Sequence, residues 1–526
     1  MPRLPFAMPT GHFMGLAPLD VWVRLLVACR CRIGPRYWLR LAAAMGTSLL
    51  ATLITLPERV LLWPVLAAKF RGTAPTYTPR RDAIVIVGYF RSGTTHLHNL
   101  LSTHPDIVTP RWVQAMSPHG FWLSWGFLRL ALVPFLPNTR PQDDVGFGPD
   151  WPAEDDFAHN NWALASTLPG RLVLPQARAQ WAAFSTLAGL PDRDLSRWRR
   201  VTAAFAWKVG VASRGRRHLL LKSPSHTGKV AELHRLFAGR VRFVHISRDA
   251  GDVVRSNVAM HARLGGQSLQ PLPRDEETRE AVIREYVEAE TRFQSDAAAL
   301  PPDRAVRLGY DELVAAPIAA FARVCEATGL AWDDRVRARS RYLAEVGTYE
   351  ARARTAAAEP SDPRLDALNK MLALPAASQP NGAEAAAVPG RPAGAGPARS
   401  RWRGVAAVWV SAAAGLGVWL LLAHLTESRL DMLAWPLGGL VGVAALRARG
   451  RGDAVLGAWA AVGALALVAA SVWPLPAVAS GWTGPDRLNN LRTAYGTFNN
   501  NYLYLLFGMV TAYRYASRKF ARPPGL

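Results

Sequence analysis

Ile84–Asp106 reads IVIVGYFRSGTTHLHNLLSTHPD. An apolar, β-branched run stops at Gly88, turns through Arg91-Ser92-Gly93-Thr94-Thr95, and continues with the apolar spacing of an amphipathic helix. Gly88 and Gly93 bracket four residues, the frame of the phosphate loop G-x-x-x-x-G-K-[ST], but Thr94 stands where that loop carries lysine. Backbone N–H groups at a helix N-terminus still favour an anion, because they are unpaired and carry the positive end of the dipole. Gly93 permits close approach of the backbone, Arg91 adds a planar fork of donors, and Ser92, Thr94 and Thr95 add hydroxyls. A metal-dependent triphosphate enzyme calls for the missing lysine and a nearby acidic metal ligand, and neither stands out. A purely structural strand-to-helix turn has the same outline.

Outward from this turn, Asp82 to about Thr355 reads as α/β. Short β-branched runs at Ala83–Val87, His218–Leu221, Val241–Ile246 and Ala305–Leu308 alternate with helical stretches. That alternation predicts a P-loop-like, three-layer fold, a parallel sheet with helices on both faces.

A second motif, VRFVHISRDAGDVVRSN over Val241–Asn257, places Arg248 just past a strand end and Ser256 on the helix expected to begin near Gly251. An arginine and a serine so placed converge on one phosphate, distinct from the anion in the first loop. Phosphates at two separated positions suggest a 3′,5′-bisphosphorylated nucleoside.

With these two motifs the sequence resembles the sulfotransferases that use 3′-phosphoadenosine-5′-phosphosulfate (PAPS). The loop Arg91–Thr95 resembles the family's R/K-S-G-T-T segment for the 5′-phosphosulfate, and Arg248–Ser256 its segment for the 3′-phosphate. LLLKSPSHTGKVAELHRLF, Leu219–Phe237, is similar to an L-K-S/T-P segment of bacterial and glycan-type members. VRLGYDELVAAPIAAFARVCEATGL, Val306–Leu330, is similar to a late Y-E-x-L…P…G-L segment. The resemblance covers roughly residues 82–330. It implies PAPS as co-substrate without a metal, and donor contacts from Arg91, Ser92, Gly93, Thr94, Thr95, Arg248 and Ser256.

Sulfonate transfer needs an aligned acceptor hydroxyl, a base for its proton, and positive groups for the leaving bisphosphate. By analogy with phosphoryl transfer, positioning and electrostatics supply most of the acceleration. Arg91 is a candidate for the reacting centre. Lys222, after a strand end, is another, or else a plain strand-end charge. For the base, DWPAEDDFAHNN, Asp150–Asn161, resembles an acidic segment of one bacterial branch. Pro152 suits a first helical turn, which puts Glu154 first and Asp155 second as candidates. Acids there also simply favour the helix dipole, and His159 is an outside candidate. The W-E context that supplies a glutamate in many relatives is absent, since Val113 and Gln114 follow Trp112. His96, His98 and His104 read as helix-surface or capping residues.

The formal net charge is +23, which suits anionic ligands, nucleic acid or a membrane surface, although arginine-rich composition alone produces such an excess. Basic runs with interleaved aromatics are missing, which argues against nucleic acid as a partner. Cys29 and Cys31 form a C-x-C pair with no nearby histidine, not a zinc spacing, and three cysteines in all suit a reducing compartment. The first residues lack the apolar core and cleavage site of a signal peptide.

Ala377–Ala398 is rich in Ala, Pro and Gly and reads as a linker. Beyond it, Val405–Leu425 and Ala454–Trp473 have the length of a bilayer crossing, Met432–Leu446 is shorter, and Tyr502–Tyr513 is short and aromatic. Arginines cluster at 399, 401 and 403, at 447, 449 and 451, and with Lys519 at 514, 518 and 522, whereas the alternate connections carry only Arg429, Arg487 and Arg492. The positive-inside rule places the dense clusters and the catalytic domain in the cytoplasm. Leu41–Phe70, divided at Pro57, Glu58 and Arg59, reads as a helical hairpin in the membrane interface or lining an acceptor groove, or equally as an ordinary buried pair.

The expected organisation is an N-terminal region 1–81, a sulfotransferase domain 82–355, a linker 356–401, and a transmembrane region 402–526 of three to four helices. The expected acceptor is a hydroxyl on a lipid, glycolipid or other membrane-associated molecule. The alternatives are a phosphotransferase with a variant phosphate loop and a scaffold that has lost catalysis.

Overall fold

Five strands build one parallel sheet: β1 (Ala83–Val87), β2 (Ile107–Val108), β3 (His218–Lys222), β4 (Val241–Ser247) and β5 (Ala305–Gly309), in the spatial order β2-β3-β1-β4-β5. This is a computed structural model, and it describes residues 12–124, 128, 148–211, 213, 215–346, 362–373, 401–426, 434–449, 454–472, 508–510 and 512–513. The chain divides into two compact units, one formed by 1–125 and 137–378 with the last three residues, the other by 126–136 and 379–523.

In the first unit the central strand β1 is buried along its whole length, as expected for a parallel strand covered on both faces. The two-residue period divides its side chains. Ile84 and Ile86 pack with Leu97, Leu101, Val244, Phe321 and Val324 on one side; Ala83, Val85 and Val87 pack with Phe205, Val209, Leu233 and Phe243 on the other. Three layers result, as the sequence predicts. The four strands foreseen lie where expected, β3, β4 and β5 each running one residue further. The fifth, β2, went unforeseen because two residues paired to His218 and Leu219 carry no periodicity of their own.

The register sets the height of the functional side chains. Ile86 pairs with Lys222, and Val87 pairs with His245. Lys222 therefore ends β3 level with the last turn of β1, and Arg248 emerges at the same carboxyl edge of the sheet. In open α/β sheets, ligands bind at that edge.

Two expectations are corrected here. The span 41–70 is not a hairpin. Trp38–Lys69 is one helix of 32 residues that runs through Pro57 and Pro64. A proline removes one intrahelical bond, and here tertiary contacts offset the loss. Ser48 donates to Ala17 O (2.5 Å), and the buried Glu58 carboxylate accepts from the backbone N–H of Phe121, Trp122, Leu123 and Ser124 at 2.8–3.3 Å. Glu58 thus anchors the helix rather than breaking it. The span read as linker also contains a helix, Pro363–Leu372, capped by Asp362, with Leu365, Leu368 and Leu372 buried against Val253, Val282 and Tyr286. Its Asn369 accepts from the Ala250 N–H at 2.8 Å. The Asp-Pro pair at its start is the helix signal that its Ala/Pro-rich surroundings obscured.

The second unit contains helices Arg401–Thr426, Ala434–Arg449 and Ala454–Val472, of 26, 16 and 19 residues. They pack through small side chains, among them Ala412, Ala445, Ala460 and Ala464. A Cβ on Gly463 would lie 2.3 Å from Val408 Cγ1, the close backbone approach that small residues permit. The sequence expectation of a fourth crossing at Tyr502–Tyr513 falls mostly outside the described residues, as does that of the linker proper. Among the described residues, the helix long and apolar enough to cross a membrane is Pro35–Lys69, in the first unit.

Candidate functional site

Gly93 has φ 100° and caps the helix Thr94–Leu101. A Cβ there would lie 2.5 Å from Tyr310 Cδ2; one on Gly88, with φ 136°, would lie 2.4 Å from Ile246 O. Both glycines are therefore required by space as well as by backbone angle. Between them Arg91 adopts φ 74°, the left-handed region that a residue with a Cβ occupies at some strain. The turn is held from outside by Thr227, whose Oγ1 accepts from Gly88 N–H (2.9 Å), and from within by Ser92 Oγ, which donates to Tyr89 O (2.8 Å).

The side chain of Arg91 crosses to the second motif. Its Nε donates to Ser256 Oγ at 3.0 Å, and Arg248 Nη1 donates to Arg91 O at 3.4 Å. Arg248 also packs over the Tyr310 ring at 4.4 Å and pairs with Asp252 at 3.3 Å. The helix carrying Ser256 is Ala250–Arg263, capped by Asp249, whose side chain accepts from Asp252 N–H at 2.9 Å. The two glycine-loop and arginine–serine motifs, more than 150 residues apart in sequence, thus form one cluster.

Lys222 meets the other side of the turn. Its Nζ donates to Thr95 Oγ1 at 3.3 Å and to Glu154 Oε1 at 2.6 Å. The Lys222 side chain is almost sealed, while Glu154 keeps 18% of its side-chain surface open. Arg111, paired in a β-bridge with Pro152, sits beside the acid segment and donates to Asp150 O at 3.2 Å. Of the sequence candidates, Lys222, Thr95 and Glu154 come together at one point, and Arg91, Arg248 and Ser256 at another on the same loop.

Asp155 behaves differently from its neighbour. It is fully buried, and its Oδ2 lies 2.6 Å from His226 Nε2 and 3.7 Å from His159 Nε2. Burial alone would push its carboxyl up, but His226 and His159 outweigh that and hold it below the usual range. Asp156 accepts from Ser166 Oγ at 2.7 Å, and its carboxyl is likewise held low, burial being outweighed by Lys229 and His159. Burial draws Lys229 below its ordinary value despite both aspartates. His159 lies inside this sealed cluster, 3.6 Å from Asp156. His226 was missed in the sequence: it lies in the quoted segment Leu219–Phe237, three residues past Ser223, whose Oγ accepts the Asp156 N–H at 3.1 Å.

Of the histidines near the turn, His98 and His104 are buried and hydrogen-bonded rather than on the helix surface, and His96 is partly buried. His98 Nε2 pairs with Thr109 Oγ1 (2.6 Å) and His104 Nε2 with Ala331 O (2.8 Å). Burial lowers the pKa of His96. A further ion network lies behind the loop. Glu285 binds Arg171 and Arg178, each at 2.5 Å, and Arg171 packs over the Phe90 ring at 4.0 Å. Burial pushes the Glu285 carboxyl up, but the two arginines outweigh it and bring it down to about 2. Among the described residues no group of three or more His, Cys, Asp or Glu is arranged to hold a metal ion.

Residues 83–132 and 147–334 match the sulfotransferase family. The omega-hydroxy-beta-dihydromenaquinone-9 sulfotransferase Stf3 of Mycobacterium bovis is 25% identical over 336 residues, 63% of this chain and 82% of that protein, as is its counterpart in Mycobacterium tuberculosis. Two solved structures are more loosely similar. The sulfotransferase STF1 from Mycobacterium tuberculosis H37Rv has TM-score 0.46 and 16% identity, covering 67% of this chain and 91% of that one. STF9 from Mycobacterium avium has TM-score 0.43 and 16% identity, covering 67% and 94%. The sulfotransferase-family match thus lies in residues 83–132 and 147–334, and the protein is a sulfotransferase.

Proposed function

We propose that the protein moves a sulfonate group from PAPS to a hydroxyl on a lipid or other membrane-partitioning acceptor. The observation that carries this reading is the position of Lys222, whose ammonium bridges Thr95 of the glycine turn and Glu154 of the acid segment. Cation, anion cradle and carboxylate meet at one point at the carboxyl edge of the sheet, with Glu154 the member that reaches solvent.

In this reading the helix N-terminus at Gly93–Thr95 cradles the 5′-phosphosulfate, and Arg248 with Ser256 holds the 3′-phosphate. Arg91 joins the two subsites, since its backbone lies in the loop and its guanidinium reaches Ser256. The acceptor oxygen attacks sulfur as the bond from sulfur to the bridging phosphate oxygen breaks. Glu154 takes the acceptor proton, and Lys222 stabilises the negative charge on the departing 3′,5′-ADP. Asp155 and Asp156 take no part in proton transfer; buried against His226, His159 and Lys229, they fix the start of the helix that presents Glu154.

A lipid acceptor is supported by the mycobacterial relatives named for an omega-hydroxylated dihydromenaquinone and by the apolar C-terminal helices. We read those helices as a multi-pass membrane region with the catalytic domain on the cytoplasmic side, following the arginine clusters. Reporter fusions at residues 429 and 487 test that topology. For the reaction, the full chain is incubated with sulfur-labelled PAPS and membrane lipid extract. Label should pass to a lipid-soluble product, and 3′,5′-ADP should raise Tm. Absence of both results overturns the reading.

A further inference from the structure

The helix Trp38–Lys69 buries Ala44, Ser48, Ala51, Thr55 and Glu58, spaced four, three, four and three residues apart. That spacing defines a single stripe facing the domain. The opposite stripe is open and apolar: Leu39 is 84% exposed, Leu53 60% and Trp63 71%, with Leu50, Val60 and Leu61 exposed beside them. At 1.5 Å per residue the helix is about 48 Å long, so this is an extended face, far from the scattered single residues that need no explanation.

Its polar groups are turned inward or satisfied locally. Thr47 donates to Ala44 O, Thr52 to Ser48 O and Thr55 to Ala51 O, at 2.7–2.9 Å. Arg59 pairs with Asp20 at 3.0 Å. Between Leu49 and Leu62 the outer side therefore offers a protein partner no hydrogen-bonding side chain with which to set register, whereas hydrocarbon asks for none. Tryptophans stand near the two ends, Trp38 and Trp63. Exposed cations flank both ends: Arg30, Arg32 and Arg36 before the helix, Lys69 and Arg71 at its exit. The two acids of the span 19–71 are occupied, Asp20 by Arg24 and Arg59 and Glu58 by the Phe121–Ser124 backbone. An apolar stripe with aromatic ends and a cationic border matches an anionic lipid surface.

We infer that the outer face of Trp38–Lys69 lies in the membrane interface, seating the catalytic unit on an anionic monolayer. The buried stripe rules out crossing, because Ser48 and Glu58 tie the helix along its length to Ala17 and to residues 121–124. The helix lies flat, its apolar side reaching about 5–10 Å below the headgroups. The inference rests on this face alone and does not depend on which group is transferred.

The test uses the full chain carrying Cys31→Ser, with Leu53→Cys or Leu61→Cys bearing an environment-sensitive fluorophore and Glu276→Cys as an exposed control. Vesicles contain three parts phosphatidylcholine to one part phosphatidylglycerol, with nitroxide-bearing lipid. Because the label reports its own position, anchorage elsewhere in the chain does not mimic the result. At positions 53 and 61, nitroxide quenching should be about tenfold stronger than at 276, and should weaken when phosphatidylglycerol is omitted, as expected of an interfacial helix with a basic border. Equal quenching at all three sites overturns the inference. So does protection of 53 and 61 from both lipid and aqueous quenchers, which would place another part of this chain there. Disulfide dimers through Leu53→Cys with no lipid quenching would place a second copy there, and would overturn it equally.

Discussion

Glu154 and Asp155 are adjacent acids with opposite surroundings. Glu154 keeps an open edge and pairs with Lys222 beside the glycine turn; Asp155 is sealed against two histidines. Consecutive residues at a helix start point in different directions, so one faces the cleft and the next the core. Residue type alone does not distinguish a proton acceptor from a structural anchor; the partner and the remaining access to solvent do.

The sharpest way to break this contrast is Glu154→Gln. It should cut kcat about 10²–10⁴-fold, as loss of a general base does, with Tm little changed. An activity loss under tenfold would remove Glu154 from the reaction. Asp155→Ala should do the reverse: stripping one partner from a buried pair costs about 3–5 kcal/mol of stability, read by chemical denaturation, while the folded fraction retains turnover. Lys222→Met should lower kcat about 10²–10³-fold, the usual effect of removing a charge-stabilising donor. If it instead raised only the KM for the donor, Lys222 would belong to binding rather than chemistry.

Ser256→Ala should have a smaller effect, weakening 3′,5′-ADP about five- to tenfold for one lost hydrogen bond, with kcat at saturating donor nearly unchanged. Calorimetric titration reads this directly. A further expectation concerns pH and stability rather than activity. The Glu285 carboxyl is held near 2 in the fold against an ordinary 4.5, so its stabilisation is complete above about pH 4.5 and is lost as pH falls toward 2. Wild type should lose Tm across that window more steeply than Glu285→Gln, which starts lower at neutral pH.

The sheet was legible because β1 is a continuous apolar run and β3, β4 and β5 are short, mainly apolar runs set between helical stretches. The glycine loop was legible because glycines at positions with no room for a Cβ leave a fixed spacing. Less could be read where a residue's role depends on a distant partner. Pro57 and Glu58 look like a helix break until residues 121–124 supply four N–H donors to the glutamate. The contact of Arg91 with Ser256, which joins the glycine turn to the arginine–serine motif, is made by a left-handed arginine that no periodicity announces. His226 sat in a quoted segment yet gave no signal, because its significance comes from Asp155, some seventy residues earlier.

The ring of Tyr310 against Gly93 bears on how this enzyme is born. The glycine turn is among the first parts of the catalytic domain to leave the ribosome, yet one of its walls is translated more than two hundred residues later. Thr227 and Ser256, which hold the turn elsewhere, also arrive late. A nascent chain therefore carries an unfinished glycine turn while more than two hundred further residues are made, and, on the proposed donor site, a truncated product ending before residue 310 should fail to retain 3′,5′-ADP.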